Sequence, residues 1–464
     1  MALSRLALTI CGVLAWWIVP AAAGAAAPRF GEPVVLRAPS TLFAGEPAVA
    51  VSASGGIVAA WDQQFSRRVF GIVVRRGTTS GRFGAAERVT TSGVLPAVAA
   101  GRGGGAAVIW ETQQRGGTRR VQVAVAAGRR RFGRPQTLAT VRANVTSQQV
   151  IATGGRFVAI WWQGIPGTGR HAVRLAVSDA AGHFGATRTL APDTGPSTGV
   201  SAAAAPDGTM TATWGTPLGG TVQTNQQLAY AQLAPGATRF GPPTTLRAAA
   251  ADQGAETTSM HVDSGPGGTA LGWTETGHLP ELLRASALTR GAAATPETVF
   301  TLDSSDLGKR YAAGPTLALP AGGLAPVAAW AVLGSTGGES ESITSGQVFA
   351  AERHADGTYS DPTQLSASDT IATLPVAGAT RTAAVVAWAT GDFGGYGLRY
   401  AVRPAGGTFG TAHALTTSHA ERGALLASSS GAVVAVWTMR PGAAGPHPRD
   451  ARRGIALAIL RELG

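Results

Sequence analysis

The sequence predicts an all-β protein, a single β-propeller of eight four-stranded blades, and three observations predict it. An apolar strand ending in tryptophan returns eight times, as GGIVAAW at Trp61 and in related form at Trp110, Trp161, Trp214, Trp273, Trp330, Trp388 and Trp437. Between these strands a second pattern recurs, an aromatic residue followed by glycine with an aliphatic residue six positions after the aromatic. It occurs at Phe30, Phe83, Phe132, Phe184, Phe240 and Phe409, with Ser360 in place of glycine after Tyr359 and a weak copy at Ala293 and Ala294. The composition agrees, since 64 Gly and 27 Pro among 464 residues, with only 14% charged residues, suit short strands joined by turns better than helices. A steady repeat overrides the length prior of about three domains.

The second unit shows the plan of a repeat. Residues 96–100 form a short strand, the glycine-rich stretch 101–105 reverses it, and 106–110 form an apolar strand ending at Trp110. After a polar loop, 120–126 read RVQVAVA, the period-two alternation of a half-buried strand, and 132–138 supply the fourth. Proline follows the aromatic position by three residues in five units, at Pro33, Pro135, Pro243, Pro296 and Pro362. Proline cannot donate to a strand ladder, so the fourth strand is expected at the outer edge of its sheet. The tryptophans, set in apolar strands, are expected to fill the space between blades rather than to stack on sugars.

The phase of the repeat predicts how the ring closes. The chain opens with a fourth strand at 30–36 that has no unit before it, and ends with a third strand at 454–460 that lacks a fourth. Pairing them completes one composite blade and removes two exposed edges. Merging the weak fifth unit, at Trp273 and Ala293, would leave seven blades instead of eight.

Residues 1–26 read as a secretory signal peptide and 27–464 as the propeller. Arg5 precedes the apolar run 6–19, Pro20 follows it, and the small residues 21–27 offer cleavage between Ala23 and Ala27. The run is shorter than the ~20 residues of a membrane-spanning helix, and no later stretch is long and apolar enough to span. Cys11, the only cysteine, lies inside this leader, so the mature chain is expected to contain no disulfide. Ile10 stands where a lipid-attachment signal needs a small residue, which sets lipidation aside. A secreted or cell-envelope monomer is expected.

The formal charge of +12 comes almost wholly from arginine, Lys309 being the sole lysine. The arginines are scattered, with clusters only at 129–131 and at Arg449, Arg452 and Arg453, and no basic stripe is interleaved with aromatics. No nucleic-acid partner is expected.

The turn before the fourth strand resembles the Asp-box (BNR) turn of sialidase-like propellers. The matching residues are Ser178-Asp179 with Gly182 and Phe184, and Asp356-Gly357-Thr358-Tyr359, while Gly407-Thr408-Phe409 and Gly81-Arg82-Phe83 keep the glycine and the aromatic. The resemblance covers most of the mature chain and implies a secreted bacterial propeller. Sialidases use an arginine triad, a tyrosine nucleophile assisted by glutamate, and an aspartate acid/base. No diagnostic arginine motif surrounds the first blade and none of the five tyrosines can be matched to the nucleophile, so catalytic residues are not assigned.

Candidate binding residues come from loop chemistry. In a propeller the loops from second to third strand, and from fourth strand to the next blade, emerge on one face. One such loop carries Asp303, Asp306, Lys309, Arg310 and Tyr311; the next long loop, 331–345, carries Glu339 and Glu341. Carboxylates, cations and a phenol on adjacent loops could hold a carbohydrate or protein ligand, or perform acid/base chemistry on a glycoside. Solvated loop polarity is the competing reading. Asp62, Glu111 and Gln163 follow the tryptophans of the first three units at points expected to be equivalent and would either line a shared channel or bond within their own blade. The eight histidines form no H-x-x-x-H or H-E-x-x-H pattern, so no metal is expected, and no cofactor motif is present. His261-Val262-Asp263 stands out as a pair for a metal, a proton relay or local hydrogen bonding. Asn144-Val145-Thr146 is a glycosylation sequon, relevant to a eukaryotic source alone. The expected function is ligand binding by an exported, non-catalytic propeller, the alternative being a glycoside-acting enzyme of sialidase-like architecture.

Overall fold

The computed structural model describes residues 28–461 apart from 41, 46, 195–198, 218–226, 248–255, 278–279, 293, 303–309, 336–342, 392–395, 421–423, 430 and 441–452. The segment 1–26, expected to be a signal peptide, therefore lies outside the described residues. Eight four-stranded antiparallel blades form a propeller, as the repeat count predicts. Blade 1 runs Ala48–Val51, Gly56–Ser66, Val69–Thr78 and Glu87–Arg88 from the inside outward, and blade 2 runs Val94–Ala100, Ala106–Gln113, Arg119–Ala126 and Gln136–Val141. Blades 3 to 7 start with the innermost strands Val145–Thr153, Val200–Ala204, Glu256–Gly265, Arg310–Ala318 and Ala372–Ala379. Blade 8 is composite. Leu425–Ser429, Ala432–Arg440 and Arg453–Arg461 come from the end of the chain, and Val34–Ser40 from its beginning supplies the outer strand. Val34 pairs with Leu457 and Ser40 with Arg453, and Phe30 bridges to Leu460. Each innermost strand lies beside the next all the way round, and that of blade 5 also reaches those of blades 7 and 8 across the axis.

The core is divided into seams, and each seam holds the tryptophan that ends a second strand, joined by Trp162 in the seam between blades 3 and 4. Trp110 of blade 2 packs on Val58, Ala60, Ile72 and Val74 of blade 1. The same relation, a tryptophan set against the preceding blade, recurs for Trp161, Trp214, Trp273, Trp330, Trp388, Trp437 and Trp61. All eight are buried, each contributing roughly 150–250 Å² of removed surface. Gly93 is small for a packing reason, since a Cβ there would sit 2.3 Å from Trp110.

The fourth strand is outermost in every blade, as expected. Each of the five prolines lies immediately before that strand, Pro33 before Val34 and Pro135 before Gln136 for example, and so interrupts no ladder. Five innermost strands share a β-bulge near their start, with a left-handed residue at Leu95, Ser147, Ser259, Gly314 or Leu374. Two residues beyond each bulge the ladder resumes, opposite the residue that precedes the blade's tryptophan.

Candidate functional site

The loop face carries the connections from second to third strands and between blades. Asp303, Asp306, Lys309, Glu339 and Glu341 lie outside the described residues. Arg310 and Tyr311 are described, and they open the innermost strand of blade 6 instead of sitting in a loop, paired with Gly334 and Leu333. The expected loop 331–345 is shorter as well, because the second strand continues to Ser335 and the third begins at Ile343. Buried Ala331, Val332 and Leu333 extend the apolar strand past Trp330, which explains both corrections. Tyr311 is 37% exposed at the rim of the ring. Beside it, Glu281 Oε2 accepts a hydrogen bond from the Ala312 N–H at 3.4 Å, and burial pushes this carboxyl above the ordinary range against the opposing effect of that bond. Glu281, at the start of a third strand, carries no sequence signal that would single it out.

Several of the polar residues after the tryptophans bond within their own blades, and Gln63 also accepts from Arg37 Nε of blade 8 at 3.1 Å. The equivalent position is the second after the tryptophan: Gln63, Gln163 and Glu275 accept the indole N–H of Trp61, Trp161 and Trp273 at 3.1–3.2 Å. Asp62 and Glu111 stand one residue earlier and belong to a different register. Both are buried, and Glu111 is paired with Arg119.

The Asp-box-like turns form as the resemblance implies. Asp179 accepts the His183 N–H at 2.9 Å, which holds its carboxyl below the usual range, and Asp356 accepts the Thr358 hydroxyl at 2.7 Å and the Thr358 N–H at 2.9 Å, the hydroxyl bond doing most to lower its carboxyl. Gly81, Gly182 and Gly357 all adopt φ of 87–91°, which a side chain rarely tolerates. These turns join blades. The N–H of the aromatic position donates to the preceding blade, from Phe132 to Glu87, Phe184 to Gln136 and Phe30 to Tyr400. In the weak fifth unit the donor stands one place later, at the glycine position, with the Ala294 N–H donating to Tyr230 at 2.8 Å.

Around the axis, side chains of one innermost strand accept backbone N–H groups of the next. Gln149 accepts from Ala202 at 2.8 Å, Ser201 from Val262 at 3.0 Å and Thr316 from Ala377 at 3.1 Å. The three acceptors hold equivalent positions, opposite the residue before the tryptophan. In blade 5 that position is His261, and the inter-blade acceptor is Asp263, 2.6 Å from the Leu317 N–H. His261 Nδ1 lies 2.8 Å from the Ser259 carbonyl and Nε2 lies 3.0 Å from Asp263 Oδ2. Burial opposes charge on this imidazole. The Asp263 carboxylate and the carbonyls of Ser259 and Pro315 outweigh it and raise the pKa above the ordinary value. The pair is thus a structural junction between blades 5 and 6. Among the described residues no group of three His, Cys, Asp or Glu is placed to hold a metal.

The opposite face, formed by turns between first and second and between third and fourth strands, holds a concave mouth of about 580 Å³ lined from all eight blades. Its walls are low because the turns are built from Gly, Ala, Ser and Pro, and a Cβ at Gly155 would meet nothing within 4 Å. Arg102 of blade 2, Arg156 of blade 3 and Arg381 of blade 7 supply its charge, with hydroxyls including Ser52, Thr153 and Ser264. Other arginines are engaged in the seams: Arg76 donates to carbonyls of Gly128 and Arg130, and Arg353 pairs with Glu297 at 2.6 Å. The three at the mouth make no side-chain hydrogen bond or ion pair with a described residue.

No protein-family model matches the chain, and no curated protein matches it in sequence. Solved structures of similar architecture include the WD40 domain of SCAP from fission yeast, 7% identical with a TM-score of 0.45, covering 93% of this chain and 98% of that one. An ulvan lyase is 11% identical with a TM-score of 0.45, covering 94% and 97%. Hadza microbial sialidase Hz136 is 12% identical with a TM-score of 0.34, covering 62% of each chain. Binding domains and enzymes stand side by side among these structures, and neither activity nor ligand transfers from them.

Proposed function

We propose that this propeller is an exported, non-catalytic, monomeric module that binds a carbohydrate or protein ligand. The observation that carries the reading is the mouth on the turn face, a concavity of ligand size whose described polar side chains are arginines and hydroxyls. Guanidinium and hydroxyl groups hold a ligand by directional hydrogen bonds, whereas glycoside cleavage calls for a carboxylate pair or an activated tyrosine. The loop face offers a second contact surface, with exposed Tyr311, Arg310 and the neighbouring Glu281 at the rim; Asp303, Asp306, Glu339 and Glu341, close to these strands in sequence, complete the proposed set.

Two measurements on the mature protein test this reading. A glycan array and a panel of immobilised surface proteins should return saturable binding, and a fluorogenic-glycoside panel should return no turnover. Turnover of any glycoside overturns the non-catalytic reading. Export is tested by N-terminal sequencing of protein recovered outside the cytoplasm, which should begin between Ala23 and Pro28; an intact Met1 there removes the signal peptide.

A further inference from the structure

We propose that the mouth on the turn face binds an acidic oligosaccharide, with Arg102, Arg156 and Arg381 reading its carboxylates. This rests on the reading above that the propeller binds carbohydrate, and it names the ligand class and the site. The three arginines are the argument. Elsewhere the fold employs guanidinium groups to tie blades together, as Arg37 of blade 8 does with Gln63 Oε1 of blade 1 at 3.1 Å and Arg403 with Glu352 at 3.0 Å. Arg102, Arg156 and Arg381 do none of this among the described residues, and they converge on one concavity from distant parts of the chain.

Their placement selects the ligand. Arg102 and Arg156 come from adjacent blades and Arg381 from blade 7, so positive charge flanks the mouth instead of focusing on a single point. A single small anion engages one flank, whereas a chain with a carboxylate on each sugar engages both. Arginine forms paired, directional hydrogen bonds to carboxylates, and no described lining residue is a carboxylate that would compete for them. A concave wall of low dielectric strengthens that field. The sugar hydroxyls meet Ser264, which is exposed at the mouth, and the backbone of the glycine-rich turns. A volume of about 580 Å³ suits an oligosaccharide end, not an extended polymer face.

The test is calorimetry of the purified mature protein with a short oligogalacturonate, with its methyl-esterified form, which keeps the sugar and loses the charge, and with sodium sulfate at matched ionic strength. The acid form should bind about tenfold or more tightly than the ester, and Arg102→Gln and Arg381→Gln should each weaken it about fivefold or more. Arg310→Ala, on the opposite face, should leave the affinity unchanged. Because the side chains of the three arginines make no hydrogen bond or ion pair with a described residue, melting temperatures should stay level; should a variant unfold, Ser264→Glu places a repelling charge at the same mouth and should also weaken binding. Equal affinity for acid and ester, or an affinity unmoved by Arg102→Gln, Arg381→Gln and Ser264→Glu, overturns the proposal. Sulfate binding as tight as the oligogalacturonate overturns the carbohydrate assignment and leaves a simple anion site. If other glycans bind while the oligogalacturonate does not, this inference fails and the binding function stands. If no glycan and no protein binds, both fail.

Discussion

Tyr400 in blade 7 accepts a hydrogen bond from the Phe30 N–H across 370 residues of sequence, at 3.2 Å, with the two rings edge to face at 4.8 Å. Tyr230, at the same strand position in blade 4, accepts a similar bond from the Ala294 N–H, one place later in the pattern, so ring closure uses the kind of contact that joins blades 4 and 5. The terminal strand is held by the same chemistry as an internal one.

Removing that strand should therefore cost what removing part of a blade costs. Deletion of residues 28–37 should lower the melting temperature by roughly 10 °C, while Tyr400→Phe should cost about 1 kcal/mol. Thermal denaturation of both variants checks this; a truncated protein that melts like the intact one disproves closure by pairing.

The seams depend on their tryptophans. Trp161→Ala should destabilise the protein by roughly 3–5 kcal/mol, because the cavity opens between two blades that cannot collapse separately, and Trp161→Phe should cost less. Denaturant titration followed by near-UV circular dichroism separates the two.

Proton binding at His261 should be visible directly. The folded protein holds this proton more tightly than the unfolded chain, so the pair contributes stability below the ordinary imidazole pKa and loses it as pH rises through the folded value. The stability gap between wild type and His261→Gln should be wider near about pH 5.5 than near about pH 9. By NMR titration, Asp263→Asn should drop the His261 pKa, leaving burial as the dominant influence; an unmoved pKa would break the link.

Backbone strain at the bulges gives a stabilising substitution. Leu374 holds φ of 51° with its side chain 51% exposed, so Leu374→Gly should relieve about 1 kcal/mol of strain with little loss of packing. Leu374→Val should do the reverse. Melting curves that rank the two the other way would assign the bulge's stability to the side chain.

On the loop face, Arg310→Ala and Tyr311→Phe should weaken any ligand held there while moving the melting temperature by no more than about 2 °C. Surface plasmon resonance against the captured ligand decides it. Unchanged affinity in both variants assigns that ligand elsewhere.

Much of the architecture was legible in the sequence because each blade buries the same strand face in the same way. The recurring tryptophan marks the seam, the alternation at 120–126 marks a third strand, and the unmatched patterns at Phe30 and after Trp437 mark closure; all three rest on local periodicity. The functional surface was less legible. Gln149, Ser201 and Thr316 share one task at one position but no residue type, since any acceptor of suitable reach serves. Arg310 and Tyr311 looked like loop residues because strand length past Trp330 depends on neighbouring strands as much as on polarity. Arg102, Arg156 and Arg381 lie far apart in sequence, among many other arginines, and only the closed ring brings their turns to one mouth. By itself the sequence determined the number, order and packing faces of the strands, because those follow from short-range patterns of burial. The tertiary structure alone decided which charges converge, because convergence at the axis depends on the angle through which all eight blades close.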